Sequence, residues 1–148
     1  MARRCVYKGS LDGSAPIYKI FQVNDSQTIY AGDIVVLSSG KASIAADGAS
    51  AGTVLGVSAT SITTTTATAS DVIKVDVNPM SIYEMPYTGS ATPAVGTKYD
   101  LGTAAYELDA DDTTDGWLQV VPQEDGSGAN TDDGLVNVVL CNRVYGMA

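Results

Sequence analysis

Short apolar runs, each closed by a glycine or aspartate turn, recur along the whole chain, and no other feature constrains its fold as tightly. Residues 31–45, "AGDIVVLSSGKASIA", set the pattern: Gly-Asp opens an apolar run, Ser-Ser-Gly breaks it, and a short alternating segment follows, with "GTVLGVS" a few residues later. Such runs succeed one another at intervals of roughly 8–15 residues, the spacing of a sandwich or barrel. Composition points the same way. The chain has 16 Val, 8 Ile and 15 Thr against 8 Leu, 5 Lys and 3 Glu. β-Branched side chains are stiff at χ1 and suit a pleated sheet, whereas straight-chain helix formers are scarce here. The expectation is an all-β fold, a small β-barrel, β-tulip-like or sandwich domain with at most one short helical turn.

The strands can be placed individually. "APIYKIFQV" directs Ile17, Lys19, Phe21 and Val23 to one face and Tyr18, Ile20 and Gln22 to the other. "SQTIY", "AGDIVVL", "KASIA" and residues 53–59 follow. In "DVIKVDV" the alternation turns Ile73, Val75 and Val77 inward and leaves Lys74 and Asp76 facing water. "SIYEMPY", "TKYDL", "AAYEL", "WLQVV" and "GLVNVVLCNRVYG" complete the set. The Thr-rich stretch at residues 61–70 reads as a flexible hairpin or protruding loop, or as an edge that pairs with a neighbouring subunit. Residues 1–14 are basic, glycine-bearing and poor in apolar content, so they read as an extended N-terminal arm. Residues 15–148 then form a single domain, long enough to bury a core without metals or disulfides.

Charge narrows the partners. The formal net charge is −9, and no base lies between Lys98 and Arg143, whereas Glu107, Asp109, Asp111, Asp112, Asp115, Glu124, Asp125, Asp132 and Asp133 do. An acidic body repels phosphate backbones, which argues against nucleic-acid binding. The first eight residues hold Arg3, Arg4 and Lys8 and no acid, so these three are candidates for steering the arm onto an acidic surface. Arg3-Arg4 precedes no apolar signal region, and no apolar run approaches the ~18 residues of a membrane span. The expectation is therefore assembly in cytoplasm, without membrane contact. Cys5 and Cys141 form no metal-ligand pattern. In a reducing compartment they are free thiols, although a pairing of terminal strands would bring them within bridging range.

Chemistry is poorly provided for. The chain has no histidine, which removes the usual general base and the commonest transition-metal ligand. "DADDTTDGW" places Asp111, Thr113, Asp115 and Gly116 at calcium-loop positions 1, 3, 5 and 6, but Pro122 stands where the closing acid belongs. The second acidic stretch, residues 124–134, lacks the spacing. Both read as turns, and the protein is expected to be no enzyme and to need no metal or cofactor. Eight Tyr beside one Phe and one Trp give aromatic surface with polar tips, a mix that suits subunit interfaces.

"IYAGDIVVLSSGKASIAADGASAGTVLGVSAT" resembles the Gly-Asp-x-Val, short-turn, Leu-Gly-Val pattern of tailed-bacteriophage head decoration (capsid cement) proteins. "VGTKYDLGTAAYELDADDTTDGWLQVV" with "VNVVLCNRVYG" is similar to the C-terminal half of such chains. The resemblance implies a virion structural subunit, often a homotrimer, that binds the major capsid protein on the capsid exterior and clamps neighbouring capsomers. It carries over no catalytic residues and no individual contact residues. The alternatives are another phage structural subunit, such as a tail-tube, head-fibre base or head-completion protein, and a carbohydrate-binding β-sandwich.

Overall fold

The computed structural model describes residues 3–129, 133–141 and 143–145. Parts of the expected arm, of the second acidic stretch and of the final strand motif (Met1, Ala2, residues 130–132, Asn142 and Gly146) lie outside them. The fold is all-β. The strands are β1 (Val6–Ser10), β2 (Tyr18–Gln22), β3 (Thr28–Ile29), β4 (Ile34–Ser38), β5 (Lys41–Ile44), β6 (Val54–Ser58) and β7 (Ile62–Thr63). They continue with β8 (Val72–Asp76), β9 (Ser81–Thr88), β10 (Lys98–Leu101), β11 (Leu108–Asp109), β12 (Leu118–Val121) and β13 (Leu135–Leu140). Among the described residues the sole helical turn is a 3-10 turn at Ala51–Thr53.

Both large sheets curl. In one, β9 pairs with β11 and β13, and the path β9-β11-β10-β12-β13 returns to β9, so the ring closes and removes its own edges. β1 is added outside it, antiparallel to β9, with a bulge at Lys8 and Gly9. The second sheet runs β2-β8-β6-β4-β5 and bends until its two ends meet at a single bridge between Val23 and Ala42. β3 and β7 form a small separate ladder. The β4–β5 hairpin turns on Ser39 and Gly40, at φ 53° and 77°, the positive pair that a two-residue turn between twisted strands demands.

β4 and β6 form a wall common to both cores. Ile34, Val54 and Val57 belong to the core that fills the ring with Met85, Leu101, Leu108, Trp117, Leu118, Val136 and Val138. Val35 and Leu55 belong to the other, with Val23, Ile29, Ile73 and Val75. Strands buried on both faces have no polar side, which is why "DIVVL" and "TVLGV" read as unbroken apolar runs.

Three expectations need correction. The N-terminal segment is not a free arm. β1 pairs with β9, Cys5 is buried in the ring core, and the Cys5 N–H donates to Gly32 O (3.1 Å). The segment after β1 is also held, by Leu11 N–H to Met80 O (2.9 Å) and by the Asn78 amide to Ser14 Oγ and Ala15 O. Local composition concealed this because the strand's partner, β9, lies some seventy residues away. Asp76 does not face water; it is buried at the end of β8, where hydrogen bonds replace its hydration. "AAYEL" is mostly turn, and only Leu108–Asp109 of it is strand. The Thr-rich stretch supplies β7, and its Thr64 is buried, donating to Asn24 O (2.7 Å) and accepting from Gln27 N–H (2.9 Å).

Candidate functional site

Arg3, Arg4 and Lys8 do not form one free basic patch. Arg4 runs past Gly32, and its Nε donates to Asp33 Oδ1 at 2.9 Å. Its guanidinium lies over the rings of Tyr30 (4.4 Å) and Tyr106 (4.8 Å). Asp33 is itself buried and accepts the Tyr30 N–H (2.9 Å), so the pair braces the chain internally. Arg3 reaches Glu84 Oε1 at 2.7 Å, and Lys8 Nζ lies 4.0 Å from Glu84 Oε2. Both cations are about half exposed, and pairs of that kind contribute at most about 1 kcal/mol each. The three residues hold β1 in place.

Glu84 opens onto a groove of about 790 Å³ between β1 and the segment after β12, lined by Tyr7, Ser10, Glu84, Gln123, Glu124 and Asn137 among others. Asn137 Oδ1 and Ser10 Oγ are buried there without hydrogen-bond partners. A second cleft, about 490 Å³, contains Asp100, Asp112 and Asp115 beside residues 48–51. Burial raises the Asp100 carboxyl above its usual range, with Asp112 adding to the effect. The neighbouring Asp111 is committed to backbone groups. Its carboxylate accepts the N–H groups of Ser90 (2.8 Å) and Ala91 (2.9 Å), which lower its pKa. Asp112 Oδ1 likewise accepts the Thr114 N–H (2.9 Å). Among the described residues no three His, Cys, Asp or Glu side chains gather in a way that could hold a metal ion.

A buried polar network joins the two sheets. Asp76 accepts from Tyr83 Oη (2.6 Å), Ile17 N–H (3.1 Å) and Asn78 N–H (2.9 Å). Desolvation first, and then the bond to Asp76, keep the Tyr83 phenol protonated far above its ordinary range. Arg143, just beyond β13, reaches back to the same place. It donates to Asn78 O (2.8 Å), to Asp76 O (2.7 Å) and to Leu55 O. Desolvation lowers its pKa to about 10, against the opposing pull of Asp76. Gly56 makes room for this: its φ is 150°, and a Cβ there would collide with Asp76 O and Arg143 Nη2. The network is a clasp, fully enclosed and out of reach of a substrate.

Sequence reasoning missed the surface that stands most open. On β2 and the residue before it, Ile17, Tyr18 and Ile20 are 48%, 47% and 60% exposed, and Val72 opposite Gln22 is also exposed. Lys74 pairs with Ile20 across the ladder, and its Nζ lies 5.6 Å above the Tyr18 ring. Tyr145, also exposed, packs on Phe21 at 6.1 Å. The available signal was that "PIYKIF" is apolar on both faces, and β2 leaves side chains of both faces exposed. Cys5 and Cys141 are both free thiols, and burial raises the pKa of each.

Comparison with protein-family models finds no match, and no curated protein matches the chain. No helix among the described residues is long and apolar enough to cross a membrane.

Proposed function

We propose that the chain is a structural subunit of a virion, a decoration protein that binds the major capsid protein on the outside of a phage head and clamps neighbouring capsomers as a homotrimer. The observation that carries this reading is the exposed apolar side chains of Tyr18, Ile20 and Val72, which share one face of the β2–β8 ladder. Apolar area of that kind on a rigid sheet marks a site of protein contact. Modest contacts suffice for such a subunit, because a trimer seated across several capsomers gains avidity. The sequence resemblance to decoration proteins supports the same assignment. Attachment on this reading belongs to the β2 surface, because Arg3, Arg4 and Lys8 are engaged with Glu84 and Asp33.

Co-sedimentation with undecorated head shells, assembled from the major capsid protein of the same phage, tests it. Saturable binding that rigidifies the shells against heat is the expected result. Absence of binding at micromolar protein rules the reading out. A second reading, carbohydrate binding, is favoured by one observation: the groove beside Tyr7 holds Glu84, Gln123 and Asn137, groups suited to sugar hydroxyls. Glycan-array binding abolished by Tyr7→Ala and retained by Ile20→Glu would select it instead.

A further inference from the structure

We propose that the open edge of β2 receives an extended, acidic segment of the partner chain as an added strand. This rests on the decoration reading for the partner's identity, whereas the chemistry follows from β2 itself.

The pairing of β2 with β8 decides which backbone groups are free. Val77 N–H donates to Ile17 O (2.8 Å) and Val23 N–H to Asp71 O (3.0 Å), so the odd-numbered residues of β2 exchange bonds with β8. In an antiparallel ladder the alternate residues turn their N–H and C=O groups the other way. Those of Tyr18 and Ile20 therefore point to the open edge. Two observations confirm the parity. Lys74, opposite Ile20, sends its own C=O away from β2, to Ala59 N–H (2.7 Å). Asn24, also even-numbered, donates to Ala42 O (3.0 Å) where β5 does cover the edge. Beyond that bridge β5 leaves Tyr18 and Ile20 uncovered, with their side chains exposed. An apolar strand edge with unspent ladder groups is a template for another extended chain.

Charge selects the occupant. In a chain of net charge −9, three of the eight bases surround this edge: Lys19 on β2, Lys74 on β8 and Lys41 at the start of β5. The nearby acids keep their charge but lie off the open stretch, Asp25 and Asp71 at the covered end of β2 by Val23. Asp25 and Asp71 accept loop N–H groups of Ala67 and Thr68, each at 2.8 Å, and Asp76 is buried. The strip is therefore positive where most of the exposed surface is negative, and an acidic segment complements it. A second copy is a poorer fit. Its acidic stretch at residues 109–115 is folded into turns by Asp109, Asp111 and Asp112, and Asp109 is already paired within the ring.

The test uses the full chain, isotopically labelled, titrated with two eight-residue peptides, one alternating Val and Glu and one alternating Val and Lys. Expected is a shift of the Tyr18 and Ile20 amide signals, with the Glu peptide bound about tenfold tighter at low salt and the preference shrinking as salt rises. Ile20→Pro removes an outward N–H that β8 does not use and is expected to abolish binding. Lys19→Glu with Lys74→Glu, which leaves the backbone intact, is expected to invert the preference. Equal binding of the two peptides, shifts confined to other strands, or no shift at millimolar peptide would overturn the proposal. So would a wild-type dimer by light scattering that Ile20→Pro dissociates, because a second copy would then cover the edge. Head shells separate the two readings. Shells that bind wild type and Ile20→Pro equally would refute strand addition and leave decoration standing. A Glu peptide seated on β2 by a chain that ignores shells would do the reverse.

Discussion

Arg143 shows how much one side chain holds together. Its guanidinium satisfies three backbone carbonyls, those of Leu55, Asp76 and Asn78, which lie on or beside β6 and β8. Removing it takes their charged donor from all three buried oxygens, with Asn78 O left to the Ser81 N–H (3.2 Å), and the Asp76 carboxylate loses an opposing charge. Breaking a buried charged group away from its partners costs about 3–5 kcal/mol. Arg143→Met fills similar volume without donors, so it is expected to lower unfolding free energy by about 3 kcal/mol, read from urea titration. A loss under about 1 kcal/mol would mean that water reaches those carbonyls. Nothing in "CNRVYG" announces this role, because the three acceptors are backbone groups whose location depends on the finished fold.

Among the elements, β1 behaves differently from its composition. Deleting residues 2–8 removes half of the β1–β9 ladder, the Arg4–Asp33 pair and the buried Cys5. A loss of at least about 3 kcal/mol of stability is expected, seen as a lowered urea midpoint of the truncated chain. An unchanged midpoint would restore the view of this segment as a dispensable arm. The Asp-rich turn after β11 carries a pH signature. Backbone N–H groups of Ser90 and Ala91 hold Asp111 below its ordinary pKa, so its contribution is present above about pH 4 and is lost as pH falls through the lowered value. Asp111→Ala is expected to be less stable than wild type at neutral pH, with the difference shrinking as acid titration protonates the carboxyl. A gap that does not change with pH would assign the effect to packing. Most strands were legible because their alternation or turn chemistry is local, as at Ser39-Gly40 and in Ile73, Val75 and Val77. β1 and the exposed side of β2 were not, because strand pairing and cover come from distant sequence. The consequence for function was direct: the three basic residues singled out from sequence brace β1, and the open surface lies on a strand whose faces were not sorted into covered and open.

At the scale of the molecule, a common wall joins the two curled sheets. Along β4 the side chains alternate between cores, with Ile34 and Val36 toward the ring and Val35 and Leu37 toward the other sheet. β6 does the same with Val54 and Leu55. Neither core can lose its half of that wall while the other keeps it, and the Arg143 clasp ties β13 of the ring to β6 and β8. The chain supplies its own reporter, because its single Trp, Trp117, is buried in the ring core with Nε1 bonded to Ala49 O (3.1 Å). Ile73 belongs to the other core and is fully enclosed there. Ile73→Ala removes about 2–5 kcal/mol of packing from a site in that second core. If the wall couples the cores, Trp117 fluorescence in urea is expected to show one transition with the same steepness, moved to a lower midpoint by the full loss. A Trp117 midpoint that stays in place, with a separate earlier transition in circular dichroism, would show two bodies that unfold independently.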